Sequence, residues 1–445
     1  MAKDVGTAGP AAGSTALLTD HYELTMVAGA LRSGVAARRS VFEVFARHLP
    51  HGRRYGVVAG TGRLLDALPQ FRFGPDELAF LRSAKVAGEA TLEYLASFAF
   101  TGDIWGYGEG DCYFPGSPIL VVEAPFAEAV VLETLVLSVL NHDSAIAAAA
   151  SRMVTAAGGR PLIEMGSRRT HELAAVASAR AAWIAGFATT SNLRAGHDYG
   201  IPTAGTSAHA FTLVHDSERH AFSTQLAALG KGTTLLVDTF DVDRAVRAAV
   251  ELAGPDLGAV RIDSGDLAAT ARQVRTLLDE LGAHKTRITL TGDLDEHSIA
   301  ALATAPVDGY GVGTALVTGS GAPTAALVYK LVARSLGPGL GARLLPVAKR
   351  SVGKPSRGGR KWAVRQLDSH GMAVTERVSV EPPDPTAGAR VLLQPLVRGG
   401  EIVGRRAMEQ ARQHHRHALA ELPVHALQLS RGYPAIPTVM DPDGS

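Results

Sequence analysis

Hydrophobic positions change their spacing along the chain, and each change marks a different kind of element. SVFEVFARHLP (40–50) alternates as a strand does, and DCYFPGSPILVVEAP (111–125) reads as strand, turn, strand. GPDELAFLRSA (74–84) carries helical spacing between them. An α+β domain is expected over 15–135. Residues 1–14, MAKDVGTAGPAAGS, have no apolar core of signal length and read as a disordered tail. The most apolar run, AVVLETLVLSVLNHDSAIAAAASRMV (129–154), is interrupted by Glu133, Asn141, His142 and Asp143. A membrane span needs about twenty apolar residues without such breaks. A long buried helix is expected instead, with a kink or a change of helix near Asn141.

From about residue 160 the texture becomes strand, short loop, helix, repeated. PLIEMGSRR (161–169) precedes the Ala-rich THELAAVASARAAWIAG (170–186), and FATTSN and the strand-like IPTAG follow. TTLLVDTFD (233–241) runs into VDRAVRAAVELAG, and GAVRIDSGD (258–266) into LAATARQVRTLLDELG. In the latter, Leu267, Val274, Leu278 and Leu281 keep helical spacing. RITLTGDLDE (287–296), HSIAALATA and VDGYGVGT (307–314) complete the series. Such units predict parallel strands with crossover helices. The fold class is therefore α/β: an irregular, TIM-like parallel βα barrel over 136–335, preferred to an open doubly wound sheet. The Gly-, Pro- and Arg-rich segment 336–445 is expected to pack back on the N-terminal domain, with strands such as RVLLQPLV and a helix near MEQARQHHRHALAEL.

In a parallel barrel the reactive residues lie past the carboxyl ends of the strands. Those positions hold Arg168 and Arg169, Ser191 and Asn192, Thr206 and His209, Asp238, Arg261, Asp263 and Asp266, Gly292 and Asp293, then Gly311, Gly313 and Thr314. His209 follows Thr206, Ser207 and Ala208, so its ring has small, partly hydroxylic neighbours open to a ligand. In RIDSGD, Ser264 is a candidate helix cap. Asp263 and Asp266 then stand at the first turn, able to hold sugar hydroxyls or water around Mg²⁺. GYGVGT reads as a tight glycine turn that can cradle a phosphate, with Thr314 adding a hydroxyl. Arg168 and Arg169 can grip a carboxylate or phosphate, and a salt bridge from one of them to the following helix is expected.

Composition narrows the function. The formal net charge of +1 over 445 residues argues against nucleic acid as a partner. The single cysteine, Cys112, excludes an intrachain disulfide and fits a cytoplasmic protein. In GDCYFPG it reads as a buried turn-side residue. His414, His415 and His417 suggest a metal cluster only superficially. They are expected on a solvated helix face without carboxylate partners. TDHYELTM (19–26) reads as a helix start capped by Thr19 or Asp20, with Tyr22 available to pack in the core or to cover a flat ring.

Together, TDHYELTM, EMGSRR, GTSAH, VDTFD, RIDSGD, TGDLDE and DGYGVGT, in this order, resemble the nicotinate phosphoribosyltransferases. The resemblance implies ATP-coupled formation of nicotinate mononucleotide and pyrophosphate from nicotinate and phosphoribosyl pyrophosphate, in salvage synthesis of NAD. It implies Mg²⁺, ATP as co-substrate, and a homodimer with shared active sites. His209 would be the phosphohistidine. Asp238 would orient the ring or hold Mg²⁺, and Asp266 would act in catalysis and metal binding. Tyr22, Arg168, Ser191, Thr206 and Arg261 would bind nicotinate, Tyr22 from the partner subunit. Arg168, Asp263, Asp266, Gly292, Asp293, Gly313 and Thr314 would bind phosphoribosyl pyrophosphate. The position before GSRR, often aromatic in relatives, is Met165 here. Ser191 stands where nicotinamide-using relatives carry an acid, which favours the substrate with a carboxylate. Two other readings compete: a nicotinamide or quinolinate phosphoribosyltransferase, and a non-catalytic barrel serving as a binding module.

Overall fold

Arg38–Ala46 is a strand buried on both faces from Ser40 to Val44, as befits the middle of a sheet. A computed structural model describes residues 13–338, 341–349, 357–384 and 389–441. In it a seven-stranded antiparallel sheet runs Leu344–Pro346, Leu327–Pro338, Arg38–Ala46, Leu120–Pro125, Asp103–Gly106, Gln394–Arg398, Glu401–Ile402. Both ends of the chain thus contribute to one sheet. Glu43 is buried there and paired with Lys361 at 2.8 Å, so a late segment is tied to an early strand by charge as well as packing.

The second sheet has six parallel strands. They are β1 (Leu162–Glu164), β2 (Thr189–Thr190), β3 (Thr234–Leu236), β4 (Ala259–Ile262), β5 (Arg287–Leu290) and β6 (Gly309–Val312). Their spatial order is β2-β1-β6-β5-β4-β3. IPTAG adds a single bridge, Thr203 to Thr190, rather than a strand of its own. The sheet curls around a core of Leu162, Leu235, Val260, Ile262, Ile288, Leu290, Tyr310 and Val312. The crossover helices expected from the periodicity are present as Glu172–Ala185, Val242–Ala253 and Leu267–Glu280. Register aligns Leu236 with Arg261, Arg261 with Thr289, Val312 with Glu164, and Glu164 with Thr190. The polar residues just past these strands therefore emerge on one rim.

Three expectations are corrected. The helix Glu133–Ala157 is continuous through Asn141; the break falls earlier, after Phe126–Val130. Asn141 survives in the helix because its side-chain oxygen accepts from the backbone N–H of Leu327 at 2.8 Å. Asp143, wholly buried, is paired with Arg63 at 2.7 Å. The Phe126–Ala157 stretch is long and apolar enough to cross a membrane by composition, but two-thirds of its most apolar window is buried inside the protein. Second, Asp20 and Thr19 do not cap the helix His21–Ser33 through their side chains; the Thr19 hydroxyl instead meets Glu23. Cys112 is buried, as expected, and burial pushes its thiol pKa up.

The third correction concerns the histidines of the helix Met408–Ala420. His414 does have a carboxylate partner, Asp111, at 3.0 Å, and only His417 of the three faces solvent. His415 is 2 % exposed, between the Gly110 carbonyl and the Ser151 hydroxyl. Burial lowers its pKa from 6.5 to about 4. The unfolded chain therefore binds the extra proton between these values, so stability is complete above pH 6.5 and falls as pH drops toward 4. The shift corresponds to about 3 kcal/mol at most. Urea unfolding of His415→Gln is expected to lose about one proton's worth of pH dependence in this window. An unchanged slope would show that His415 does not titrate on unfolding.

Candidate active site

The rim residues gather around Arg261. Its β-strand position, second to last in β4, sends the guanidinium across the mouth, where it is 8 % exposed. Nε donates to the Thr291 hydroxyl at 3.0 Å, and Nη1 to the Thr206 hydroxyl at 2.6 Å and the Ser207 carbonyl at 3.2 Å. Nη2 lies 3.5 Å from Asp263 Oδ1, leaving a donor for an incoming anion. Thr291 also donates to Asp263. One arginine thus joins the loops after IPTAG, β4 and β5.

His209 opens the short helix His209–Leu213, preceded by extended Ala208. Its side chain is 39 % exposed. Nδ1 shares a hydrogen bond with the Thr239 hydroxyl at 3.1 Å, and Nε2 stands 3.8 Å from Asp263 Oδ2. The ring is therefore held at one nitrogen and open at the other. Asp238 does not orient it. Asp238 Oδ2 accepts from the Asp263 N–H at 2.8 Å and the Ser264 hydroxyl at 2.9 Å. Its Oδ1 is buried with no hydrogen-bond partner among the described residues. A buried carboxylate oxygen without a donor suits a hard cation or its water.

RIDSGD is arranged differently from expectation. Asp266, not Ser264, caps the helix Leu267–Glu280, accepting from the Ala269 N–H at 3.0 Å. Asp263 sits in the loop before the helix, not in its first turn. In GYGVGT, residues Gly309–Val312 form β6, so the tight turn begins only at Gly313. Gly311 makes room for Met165: a Cβ there would meet its thioether sulfur at 2.7 Å. Gly292 has φ +104°, and a Cβ would collide with the Asp263 carbonyl. Asp293, beside it, is itself left-handed at φ +42°. Gly292→Ala is expected to lower both the melting temperature and kcat/KM, the latter at least about tenfold, because the Asp263 loop must shift. A fall in melting temperature with kcat/KM intact would separate this glycine from the site.

Arg168 and Arg169 are both exposed, and the expected salt bridge is absent: neither side chain has a partner among the described residues. Ser191 and Thr314 are exposed on the same rim. Tyr22 lies apart, on the helix His21–Ser33 that packs in the antiparallel domain. It is 46 % exposed, and partial burial, then the negative charges of Glu133 and Glu23, raise its pKa.

Four polar residues around the rim do not stand out in the sequence. Thr239 and Thr291 lie inside the quoted motifs but show no chemistry until their partners, some thirty residues away, are in place. Glu164 is 1 % exposed, with its oxygens taken by the Gly166 N–H and the Thr190 hydroxyl, and burial raises its pKa. Glu218, half-buried, is pushed up to about 7, first by burial, then by Asp241 and Asp238.

Comparison with known proteins decides the family. The chain is 59 % identical over 432 residues to a nicotinate phosphoribosyltransferase of Mycobacterium tuberculosis, covering 95 % of this chain and 94 % of that protein. The chain belongs to the nicotinate phosphoribosyltransferase family. The family's N-terminal domain matches residues 17–141. A Bacillus subtilis nicotinate phosphoribosyltransferase is 39 % identical, with 72 % of this chain and 67 % of that protein aligned. The crystal structure of human nicotinic acid phosphoribosyltransferase superposes with a TM-score of 0.80 at 25 % identity, over 95 % of this chain and 97 % of the human one. The expected irregular βα barrel is present as a curled half-barrel of six parallel strands, beside the expected α+β domain drawn from both chain ends.

Proposed function

We propose that the protein joins nicotinate to phosphoribosyl pyrophosphate, coupled to ATP through a phosphohistidine at His209, in NAD synthesis. The observation that carries this is the half-exposed imidazole held by Thr239, with its other nitrogen beside one oxygen of Asp263 while Arg261 approaches the other. With the Nδ1 proton donated to Thr239, Nε2 keeps its lone pair and attacks the γ-phosphorus of ATP. The P–O bond to ADP breaks, and the N–P bond forms. Asp263, close to the ring, stabilises the cationic phosphoimidazole. Water later cleaves the N–P bond, releasing phosphate and restoring His209.

At the sugar, the nicotinate ring nitrogen forms a bond to C1 as the bond to pyrophosphate breaks. The transition state is oxocarbenium-like by analogy with glycoside cleavage, so positioning and charge do most of the work. Arg261 and Thr206 receive the nicotinate carboxylate, with Met165 under the ring, and Ser191 adds no opposing charge. Arg168 takes the pyrophosphate. Gly292, Asp293, Gly313 and Thr314 take the ribose and its 5′-phosphate. Asp238 and Asp266 would hold Mg²⁺, which neutralises charge on the leaving pyrophosphate. Among the described residues no cage of three or more metal ligands forms. Mg²⁺ is usually bound by one or two carboxylates together with substrate phosphates, and the observation that suits it here is the buried Asp238 Oδ1 without a donor among the described residues. Tyr22, exposed and away from its own mouth, is assigned to the partner's site in a cytoplasmic homodimer.

A product assay tests the reading. Nicotinate is expected to give its mononucleotide, stimulated by ATP, while nicotinamide and quinolinate give little. Equal turnover of nicotinamide would overturn the substrate assignment, and indifference to ATP the coupling.

A further inference from the structure

A second cationic concavity has no wall residue in common with the catalytic mouth, although its Glu296 opens the helix that follows the Gly292–Asp293 turn. It encloses about 310 Å³ between the 51–53 turn, Arg152, the start of the helix Glu296–Ala301, the 320–321 turn and the 429–431 segment. Its charge is unbalanced. Arg53 is 5 % exposed, yet its guanidinium donates only to the carbonyls of Gly319 and Ala145 among the described residues. Arg152 donates from Nε to Glu296 at 3.0 Å and from Nη2 to the Leu429 carbonyl at 2.9 Å. Glu296 also accepts from the Ser320 hydroxyl at 2.6 Å. The one carboxylate among the described wall residues is thus already engaged, by Arg152 and Ser320. Arg431, exposed at the rim, has no side-chain partner among the described residues.

A buried cation whose hydrogen bonds go only to neutral carbonyls, and whose charge partner Glu296 is already engaged by Arg152, is costly. Burial and the charge of Arg152 lower the Arg53 pKa, against an opposing pull from Glu296. His51, in the same wall, holds the left-handed conformation at φ +53°. Strain of this kind gathers at ligand clamps. We propose that this cavity binds a phosphate dianion, free or carried by a small phosphorylated metabolite, between the guanidiniums of Arg53 and Arg431. Guanidinium forks match tetrahedral oxyanions. The volume is near the lower end of ligand pockets, about 300–1,000 Å³. Bound there, the anion links the 51–53 turn to the 429–431 segment and to the long helix.

The site is independent of the catalytic reading and can be tested apart from it. Full-length protein is titrated calorimetrically with inorganic phosphate and, separately, with ribose 5-phosphate. Unaltered protein, Arg431→Ala, Arg53→Met and the mouth variant Arg168→Ala are compared. Two classes of sites are expected. Arg431→Ala weakens one class roughly tenfold, as loss of a charge-assisted contact does, and Arg53→Met removes it. Arg168→Ala weakens only the other. Arg431 is exposed, so its variant carries the test even where Arg53→Met does not fold. Tighter binding of ribose 5-phosphate at the Arg431-dependent site marks a phosphorylated metabolite as occupant; equal binding marks free phosphate. The proposal fails if Arg431→Ala binds both probes as the unaltered protein does.

Discussion

His209→Ala is expected to take up no acid-labile label from γ-labelled ATP and to lose all stimulation of nicotinate turnover by ATP. On the proposed reading its ring is the nucleophile: Nε2 stands 3.8 Å from one oxygen of Asp263, and Arg261 approaches the other. Alanine removes that nitrogen without disturbing much else, because the ring is partly exposed and makes a single hydrogen bond, to Thr239. The variant should therefore fold with a melting temperature close to that of the unaltered protein. Residual ATP-independent turnover is expected to persist, since Arg261, the aspartates and the turns at Gly292 and Gly313 are untouched. Thr239→Val supplies the finer test. It keeps the nucleophile but frees Nδ1, so both tautomers become populated and the rate of labelling should fall while its final extent remains. Full labelling of His209→Ala would move the phosphorylation elsewhere and remove the central step of the mechanism.

The rim is legible in the sequence because a parallel barrel sorts residues by a simple rule: the positions just past each strand face the ligand. Arg261, Asp263, Thr206 and His209 can be named together for that reason, and they do converge. Periodicity does not tell which group satisfies which. Asp238, at the end of the neighbouring strand, is the natural candidate to hold the imidazole, yet its oxygen is taken by the Asp263 N–H and the Ser264 hydroxyl, 25 and 26 residues away. Competition for a donor depends on ångström-scale loop geometry, and hydrophobic spacing says nothing of it. The same limit explains the histidines. A charged stretch with helical spacing looks solvated, but Asp111, 303 residues before His414, supplies a buried partner. Asn141 fails as a helix breaker for a related reason. Its amide finds backbone partners near Leu327, across 186 residues of chain, so tertiary contacts override a weak local preference.

Arg261→Met is expected to cost more catalysis than any other single change at the rim outside His209. Methionine fills similar volume, so the strand should survive. The hydroxyls of Thr206 and Thr291 and the carbonyl of Ser207 would each lose their donor, and Asp263 its nearby cation. Removing one member of a desolvated, hydrogen-bonded charge set costs about 2–5 kcal/mol. At about 1.36 kcal/mol per tenfold, that is roughly thirtyfold to several thousandfold in kcat/KM. The split between constants tells which role dominates. If the guanidinium mainly receives the carboxylate of nicotinate, KM for nicotinate rises while labelling of His209 by ATP continues. If it mainly fixes Asp263, labelling slows as well, because the carboxylate beside Nε2 is no longer held. Arg261→Lys separates charge from shape: a point charge cannot reach Thr206, Thr291 and the substrate at once, so only part of the activity should return. Unchanged kinetics in both variants would mean that the arginine merely props the loops, and that the substrate's negative charge is met elsewhere, at Arg168 or Arg169.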